Sequence, residues 1–174
     1  SSSLKDRIEE IREEAETSVR EGSTCLILSD KNINNQNASI PSILTVGAVH
    51  SHLVKHGLRG YCSLNVQCSD ALDTHSFAVL IGVGATTVNP YLAIDSIYQR
   101  FEKKLFGKSD FESCVVKFKK SIDAGLLKIM SKMGISVISS YRGGCNFEAV
   151  GLSRAIVSDY FPGMSSRISG IGVI

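Results

Sequence analysis

The sequence has no tryptophan, three prolines and no apolar run long enough to cross a membrane. Its longest apolar stretches, such as residues 77–85, fall far short of the roughly 18 residues that a spanning helix needs. The Ser-rich and then acidic N-terminus lacks the apolar core of a signal peptide. Proline is too sparse to mark a linker, and a net charge of +2 is too small to indicate nucleic-acid binding. With 43% hydrophobic residues, the 174-residue chain is predicted to form one soluble domain.

The five cysteines are an odd number, and three of them lie inside apolar runs. This pattern predicts free, buried thiols in a reducing intracellular compartment, either the cytoplasm or an organelle. Cys62 and Cys68 resemble the start of an iron–sulfur ligand set, but two ligands do not hold a cluster and no third cysteine follows nearby. Their even spacing in a strand puts both on one face, which favours core packing.

Charge is distributed unevenly along the chain. Residues 1–22 carry four basic and seven acidic side chains, whereas residues 99–132 carry nine basic and four acidic ones. The lysines of the second segment fall mostly on the outer face of predicted helices, so a solvated surface is the preferred interpretation. A regulatory module that binds a partner through the lysine face of residues 103–132 is a weaker alternative.

Six helices are predicted from apolar spacing and end signals. The first begins at a capping box of Ser3 and Asp6. The third is predicted to be capped by Asn89, with Pro90 in its first turn and a buried apolar stripe that includes Tyr98 and Leu105. The helices are placed between residues 4 and 22, 39 and 57, 90 and 107, 115 and 134, with two short ones around 147–160.

Four strands are predicted, at residues 24–28, 61–68, 77–83 and 135–138. Polar and apolar residues alternate in 61–68, which indicates a strand with one dry face and one face available for polar contacts. The run 77–83 is apolar throughout, which is typical of a central parallel strand. The fold class is therefore α/β: a mainly parallel sheet of about four strands with helices packed over it, in a barrel-like or open β-α topology. The single domain spans residues 1–174, with a leading helix at 1–23 and an exit segment at 163–174.

Functional groups in parallel α/β sheets usually follow the carboxyl ends of strands. The loops predicted at these positions contain Asp30, Asn89 and a Ser-Ser-x-Arg-Gly-Gly turn, whose candidate residues are Ser139, Ser140, Tyr141, Arg142 and Gly143. Backbone amides and one guanidinium in such a turn can bind a phosphate. The turn lacks the dinucleotide fingerprint and the Walker lysine pattern. A turn that orders the sheet edge or contacts a neighbouring domain is the alternative.

The sequence shows no evident reaction centre. His52 and His56 can face the same side of a helix near His50, but zinc needs a third ligand and usually an acidic group, so a polar helix face is preferred. No serine or cysteine lies in a nucleophile elbow, and no pair of carboxylates can be assigned acid and base roles. We therefore expect no catalytic residue, no metal site and no cofactor in this chain.

Longer strings of residues are more specific than these single motifs. They are Ile40-Pro41, Val46-Gly47-Ala48-Val49-His50, Val88-Asn89-Pro90-Tyr91-Leu92-Ala93, the run from Gly125 to Ser136, Ser140-Tyr141-Arg142-Gly143, the run from Phe147 to Leu152, and Ser166-Arg167-Ile168. In this order they resemble the glutamate synthase large chain, over most of the sequence from about Ser29 onward. The segment after the Ser-Tyr-Arg-Gly turn, Gly144-Cys145-Asn146, is richer in glycine than this family's pattern.

The resemblance implies the later part of a central domain that lies between a glutamine amidotransferase and an FMN-binding domain with a 3Fe-4S cluster. Such a domain is expected to hold the glutaminase and synthase sites in register while ammonia passes to 2-oxoglutarate. The amidotransferase and FMN-binding domains are then its partners, and FMN and the cluster belong to the parent enzyme. The family's amidotransferase needs an N-terminal cysteine, whereas this chain has no cysteine before Cys25. A stand-alone phosphate- or flavin-binding α/β enzyme is the alternative.

Overall fold

A computed structural model describes residues 3–144 and 146–172 of the chain. The helices are α1 (Leu4–Arg20), α2 (Ser42–Lys55), α3 (Thr74–Gly82), α4 (Tyr91–Glu102), α5 (Phe111–Lys132), α6 (Ile138–Tyr141) and α7 (Arg154–Tyr160), with one 3₁₀ turn at Arg59–Tyr61. The strands are β1 (Cys25–Ser29), β2 (Ser63–Gln67), β3 (Thr87–Asn89), β4 (Glu148–Leu152) and β5 (Ser165–Ile171). None of the helices in these two ranges is long and apolar enough to cross a membrane.

The strands form two small parallel sheets. One has the order β1-β2-β3, and the other pairs β4 with β5. Ser29 pairs with Gln67, which pairs with Asn89, so the carboxyl ends of the first three strands lie side by side. The predicted α/β class and parallel pairing are confirmed, and the topology is open, with no closed barrel among the described residues. Helices α4, α5 and α6 lie between β3 and β4 along the chain.

Helices cover one face of the three-stranded sheet. Leu64 and Val66 of β2 point into a core that they share with residues of α1, α2 and α3. The alternate residues of β2 are only partly buried, and Ile27 of β1 is 67% exposed. The alternation predicted for residues 61–68 is confirmed: one face is dry, and the other is polar and accessible.

The predicted central strand at residues 77–83 is wrong, because these residues lie in and just after helix α3. The carboxylate of Asp73 accepts a hydrogen bond from the backbone N–H of Ser76 at 2.8 Å and caps the helix. Phe77, Ala78 and Leu80 are all buried. A short helix packed on several sides is apolar throughout, so periodicity does not separate it from a central strand.

The other boundary errors have local causes. Asn89 ends β3 and does not cap α4, whose N-cap is Pro90, and α4 ends at Glu102 before a left-handed Lys104. The predicted strand at 135–138 is absent: Val137 is 52% exposed and Ile138 begins α6. The segment expected to begin a short helix around residue 147 forms strand β4, which pairs with β5.

The capping box is confirmed, and the prediction of free, buried thiols is confirmed for three of the four described cysteines and wrong for Cys25. Ser3 and Asp6 exchange hydrogen bonds of 3.1 and 3.2 Å at the start of α1. Cys62, Cys68 and Cys114 are free and buried, whereas Cys25 is free and exposed. Cys145 lies outside the described residues.

Arg12 connects three helices from a buried position that the sequence pattern did not reveal. Its residue is 6% exposed, although it lies on the face of α1 that also buries Ile8 and Ala15. The guanidinium donates to the backbone oxygen of Ala48 in α2 at 3.3 Å and to the backbone oxygen of Asp159 in α7 at 3.1 Å. It also pairs with the Asp159 carboxylate at 3.2 Å. Arg12 therefore fixes α1 against α2 and α7.

Replacement of Arg12 by alanine is expected to lower the free energy of unfolding by about 2–3 kcal/mol, because it removes the buried cation that joins α1 to α2 and α7 and breaks its ion pair with Asp159. Arg7→Ala on the same helix is the matched control: its side chain is 46% exposed and its ion pairs are with exposed glutamates. The control is expected to change stability by about 0.5 kcal/mol or less. Urea unfolding followed by circular dichroism measures both, and equal losses would contradict the assignment.

Candidate functional site

The candidate residues predicted from the sequence lie in two groups at opposite edges of the three-stranded sheet. Asp30 and Asn89 lie at the carboxyl edge, as expected. Arg142 contacts Ala85 just before β3, and Gly143 contacts His50 of α2, so this turn lies at the amino edge. The expectation that this turn follows the carboxyl end of a strand is wrong, because residues 135–138, directly before it, do not form a strand. The structure therefore does not combine the two groups into one site.

The carboxyl edge is a short network of polar side chains. The Ser29 hydroxyl donates to the Gln67 side-chain oxygen at 2.9 Å. The carboxylate of Asp30 accepts from the backbone N–H and the hydroxyl of Ser69, at 2.9 and 2.6 Å. Asn89 accepts from the backbone N–H of Cys68 through its main-chain oxygen, and its residue is exposed. The sequence analysis did not single out Gln67 and Ser69. Their position at or just after the end of β2 was the signal that could have placed them at this edge.

An open cavity of about 820 Å³ adjoins this edge. It lies between α1 and the asparagine-rich loop after β1, and its lining includes Arg7, Glu14, Ile27, Asp30 and Asn37. The lining mixes charged, amide and apolar side chains, which is typical of a surface that contacts another polypeptide.

Arg59 organises the amino edge. Its guanidinium donates to the backbone oxygen of Cys62 at 2.6 Å, to that of Gly84 at 2.9 Å and to the hydroxyl of Thr86 at 3.2 Å. Its Nε donates to Nδ1 of His50 at 3.1 Å. One side chain thus connects α2 to the residues that lead into β2 and β3. Arg59 was not predicted, since its partners are distant in sequence.

The Ser-Tyr-Arg-Gly turn packs against this edge. Tyr141 is fully buried, and its hydroxyl donates to the backbone oxygen of Ala78 at 3.0 Å. The Nε of Arg142 donates to the backbone oxygen of Ala85 at 3.1 Å. Gly143 has a φ of 68°, and a Cβ there would lie 2.9 Å from Nε2 of His50. Ser139 and Ser140 are exposed. The tyrosine, arginine and glycine of this turn therefore each contact a neighbouring element.

His50 is neutral in this environment. Burial, and then the positive charge of Arg59, lower the pKa of His50 from 6.5 to about 4. Because Nδ1 accepts the hydrogen bond from Arg59, the ring proton lies on Nε2, which points at Gly143. Burial also lowers the pKa of Arg59. A neutral imidazole beside two guanidiniums makes this corner positively charged.

The buried cysteines are held as thiols. Burial raises the pKa of Cys62, and it raises the pKa of Cys68 to about 11. Nucleophilic and metal-binding cysteines act as thiolates, so this environment disfavours both roles. Cys62 and Cys68 flank opposite ends of β2, which agrees with the core packing predicted for them.

Together these features define an α/β domain of parallel β-α units in which the described polar groups at both sheet edges mainly hold the fold together. The family comparison agrees with that class. The model of the glutamate synthase central domain family matches residues 1–153, so the chain belongs to this family.

Curated relatives extend the match to nearly the whole chain. The chain is 59% identical over 170 residues to a glutamate synthase [NADPH] large chain of Azospirillum brasilense. It is 43% identical to the corresponding chain of Bacillus subtilis and 40% identical to a ferredoxin-dependent glutamate synthase of Pyropia yezoensis. Each alignment covers 98% of this chain but only 11% or 12% of the relative. The resemblance inferred from the ordered strings is thereby confirmed.

The neutral state of His50 predicts a pH dependence of stability. The unfolded imidazole takes up a proton near pH 6.5, whereas the folded one does so only near pH 4. The unfolded state therefore binds more protons than the folded state between these pH values. The stability that the neutral His50 provides is fully present above pH 6.5 and is lost as the pH falls toward 4. Allowing for partial exposure, we expect a loss of roughly 2 kcal/mol.

Urea unfolding between pH 4 and 7 measures this dependence. His50→Gln is expected to flatten the decline, because glutamine can accept from Arg59 but does not titrate. His75→Gln, at an exposed histidine, is the matched control and is expected to keep the slope of the unsubstituted chain. The same slope in the His50→Gln variant would show that another group is responsible.

Proposed function

We propose that this chain is a connecting part of a glutamate synthase, which makes L-glutamate from glutamine and 2-oxoglutarate. Its role is to hold a glutaminase site and an FMN-dependent synthase site in register while ammonia passes between them. The observation that carries the proposal is the amount of sheet and helix surface that the described residues leave without a packing layer.

The outer face of the three-stranded sheet is the first such surface. Parallel sheets are ordinarily covered on both faces. Here the outward residues of β1, Cys25, Ile27 and Ser29, are exposed, and β1 is an edge strand in the described sheet. Thr87 and Asn89 continue this surface on β3. This face has no covering element among the described residues, and the relatives have about nine-tenths of their length outside the matched region from which one could come.

The second surface is apolar and lies on β4 and β5. Val150, Ile168 and Ile171 are 63%, 61% and 77% exposed. These three β-branched side chains fall on neighbouring paired strands, with Val150 opposite Ile168. Apolar residues clustered in this way mark a contact with another polypeptide more often than a solvated face.

The stripe on α4 supports the same conclusion. Tyr98 and Leu105 were expected to be buried, but they are 49% and 65% exposed. Phe111, at the N-terminal end of α5, packs on this stripe through aromatic contacts with the rings of Tyr98 and Phe101. Leu127 of α5 is 66% exposed as well. A further domain that covers these exposed apolar side chains would explain their helical spacing.

In this proposal the amidotransferase and FMN-binding domains of the parent chain are the covering partners. FMN and a 3Fe-4S cluster act in the parent enzyme and not in this segment. Asp30 and Asn89 at one sheet edge, and Ser139, Ser140 and Arg142 at the other, are the proposed contact points for these domains. The free thiols Cys62, Cys68 and Cys114 support a reducing compartment.

The isolated chain is expected to neither hydrolyse glutamine nor bind FMN or inorganic phosphate at saturable sites. Glutaminase assays and equilibrium titrations with FMN and phosphate measure this. If the Tyr141 to Gly144 turn were the site of a stand-alone enzyme, saturable binding would appear and Arg142→Gln would remove it. Arg100→Gln, at an exposed arginine of α4, is the matched control. Saturable FMN binding or glutamine turnover by the isolated chain would contradict the connecting role.

A further inference from the structure

Three metal-ligating side chains meet where α1 packs against α2. Nε2 of His52 lies 2.6 Å from Oε2 of Glu16, and Nδ1 of His56 lies 3.7 Å from the same oxygen. The three potential ligand atoms all lie within 4.8 Å of one another. The sequence showed the histidine pair but not the third, acidic ligand, because Glu16 lies on a different helix.

The two histidines are separated by one helical turn, so both rings project from the same side of α2. Their ring centroids are 4.3 Å apart. This spacing is the one by which a single helix presents two imidazoles to one ion, as in metal-binding helical motifs. The position of Glu16 on α1 completes a set of two imidazole nitrogens and one carboxylate.

Arg20 orients the carboxylate. Its Nε and Nη2 each lie 2.8 Å from Oε1 of Glu16, which leaves Oε2 facing the two imidazoles. The hydrogen bonds from Arg20 and then His52 lower the pKa of Glu16, so the group is a carboxylate at neutral pH. Metal ligands must be deprotonated and are usually held by an outer partner of this kind.

The ligand set selects a class of ion. Two imidazoles with one carboxylate suit zinc and similar transition metals, whereas calcium and magnesium prefer mainly oxygen ligands. Tetrahedral zinc with bonds of about 2.0–2.1 Å places its ligands roughly 3.3 Å apart. Oε2 of Glu16 lies 2.6 Å from Nε2 of His52 and 3.7 Å from Nδ1 of His56, which are on either side of that value. The side chains are 17%, 22% and 33% exposed for His52, Glu16 and His56, so an ion and a water can reach them.

Metal binding would replace existing hydrogen bonds. His56 Nδ1 now lies 2.8 Å from the backbone oxygen of His52, and His52 Nε2 bonds to Glu16. The His52 oxygen also accepts from the backbone N–H of His56, so it keeps a donor when Nδ1 of His56 turns to an ion. The ion takes the place of the proton between His52 and Glu16, so both of these groups keep a partner when it binds.

We propose that Glu16, His52 and His56 form a binding site for one zinc-class divalent ion, with water as the fourth ligand, that links α1 to α2. The site uses none of the residues described at the two sheet edges, and it is independent of the connecting role. Its ion would stabilise the packing that Arg12 also maintains.

The test uses the full 174-residue chain with ZnCl₂ and CoCl₂ as probes. Isothermal titration calorimetry is expected to show one equivalent of zinc, and cobalt is expected to give a visible spectrum without thiolate charge-transfer bands. Loss of an outer-shell partner typically costs about 10–100-fold in affinity, so loss of a ligand in His52→Gln, His56→Gln or Glu16→Gln should cost at least that. His75→Gln and Cys25→Ser, at an exposed histidine and an exposed thiol, are the controls and should bind as the unsubstituted chain does.

A thermal shift gives a second readout that separates binding from misfolding. Each variant is first melted with EDTA to establish that it folds. Zinc is then expected to raise the Tm of the unsubstituted chain by several degrees, roughly, and to leave that of His52→Gln unchanged. Equal zinc affinity in His52→Gln and the unsubstituted chain, or no saturable binding up to millimolar zinc, would overturn the proposal.

Discussion

A parallel sheet needs an apolar layer against each face, and the sheet of β1, β2 and β3 receives one on a single face. Leu64 and Val66 fill the covered side with the helices α1, α2 and α3. The opposite side presents Ile27, with polar neighbours such as Asn65, to the surface. This one-sided cover determines which surfaces remain open, and so it determines what role the domain can have in a longer chain.

Two guanidiniums hold the covered side in place. Arg12 joins α1 to α2 and α7, and Arg59 joins α2 to the entrances of β2 and β3. Each donates to backbone oxygens in two separate segments of the chain, which ties those segments together. The neutral His50 lies between Arg59 and the Gly143 turn, so the residues that looked most like an anion site are mainly used for assembly. The polar groups thus hold the covered side together, and the other side of the sheet is left open among the described residues.

The sequence predicted features whose cause is local. The alternation in residues 61–68 and the Ser3 capping box follow from neighbouring residues, and both are confirmed. The run at 77–83 was assigned to a strand because a buried helix and a central strand have the same apolar pattern; the Asp73 cap was the missed signal. The role of Arg59 and the contact between Glu16 and His52 both depend on segments that are distant along the chain. The spacing of residues in the sequence does not predict such contacts. The family resemblance was recoverable because long ordered strings are specific without any geometry.

The central claim is that other parts of a longer chain cover the open face of the sheet. Cys25 tests it directly, because its thiol is free and exposed on that face in the isolated domain. The rate of alkylation at Cys25, followed by peptide mass spectrometry, can be compared between the 174-residue chain and a full-length large chain that contains it, with buried Cys114 as the internal control. The account predicts rapid labelling of Cys25 in the isolated chain and strong protection in the full-length one. Equal rates in the two would contradict it.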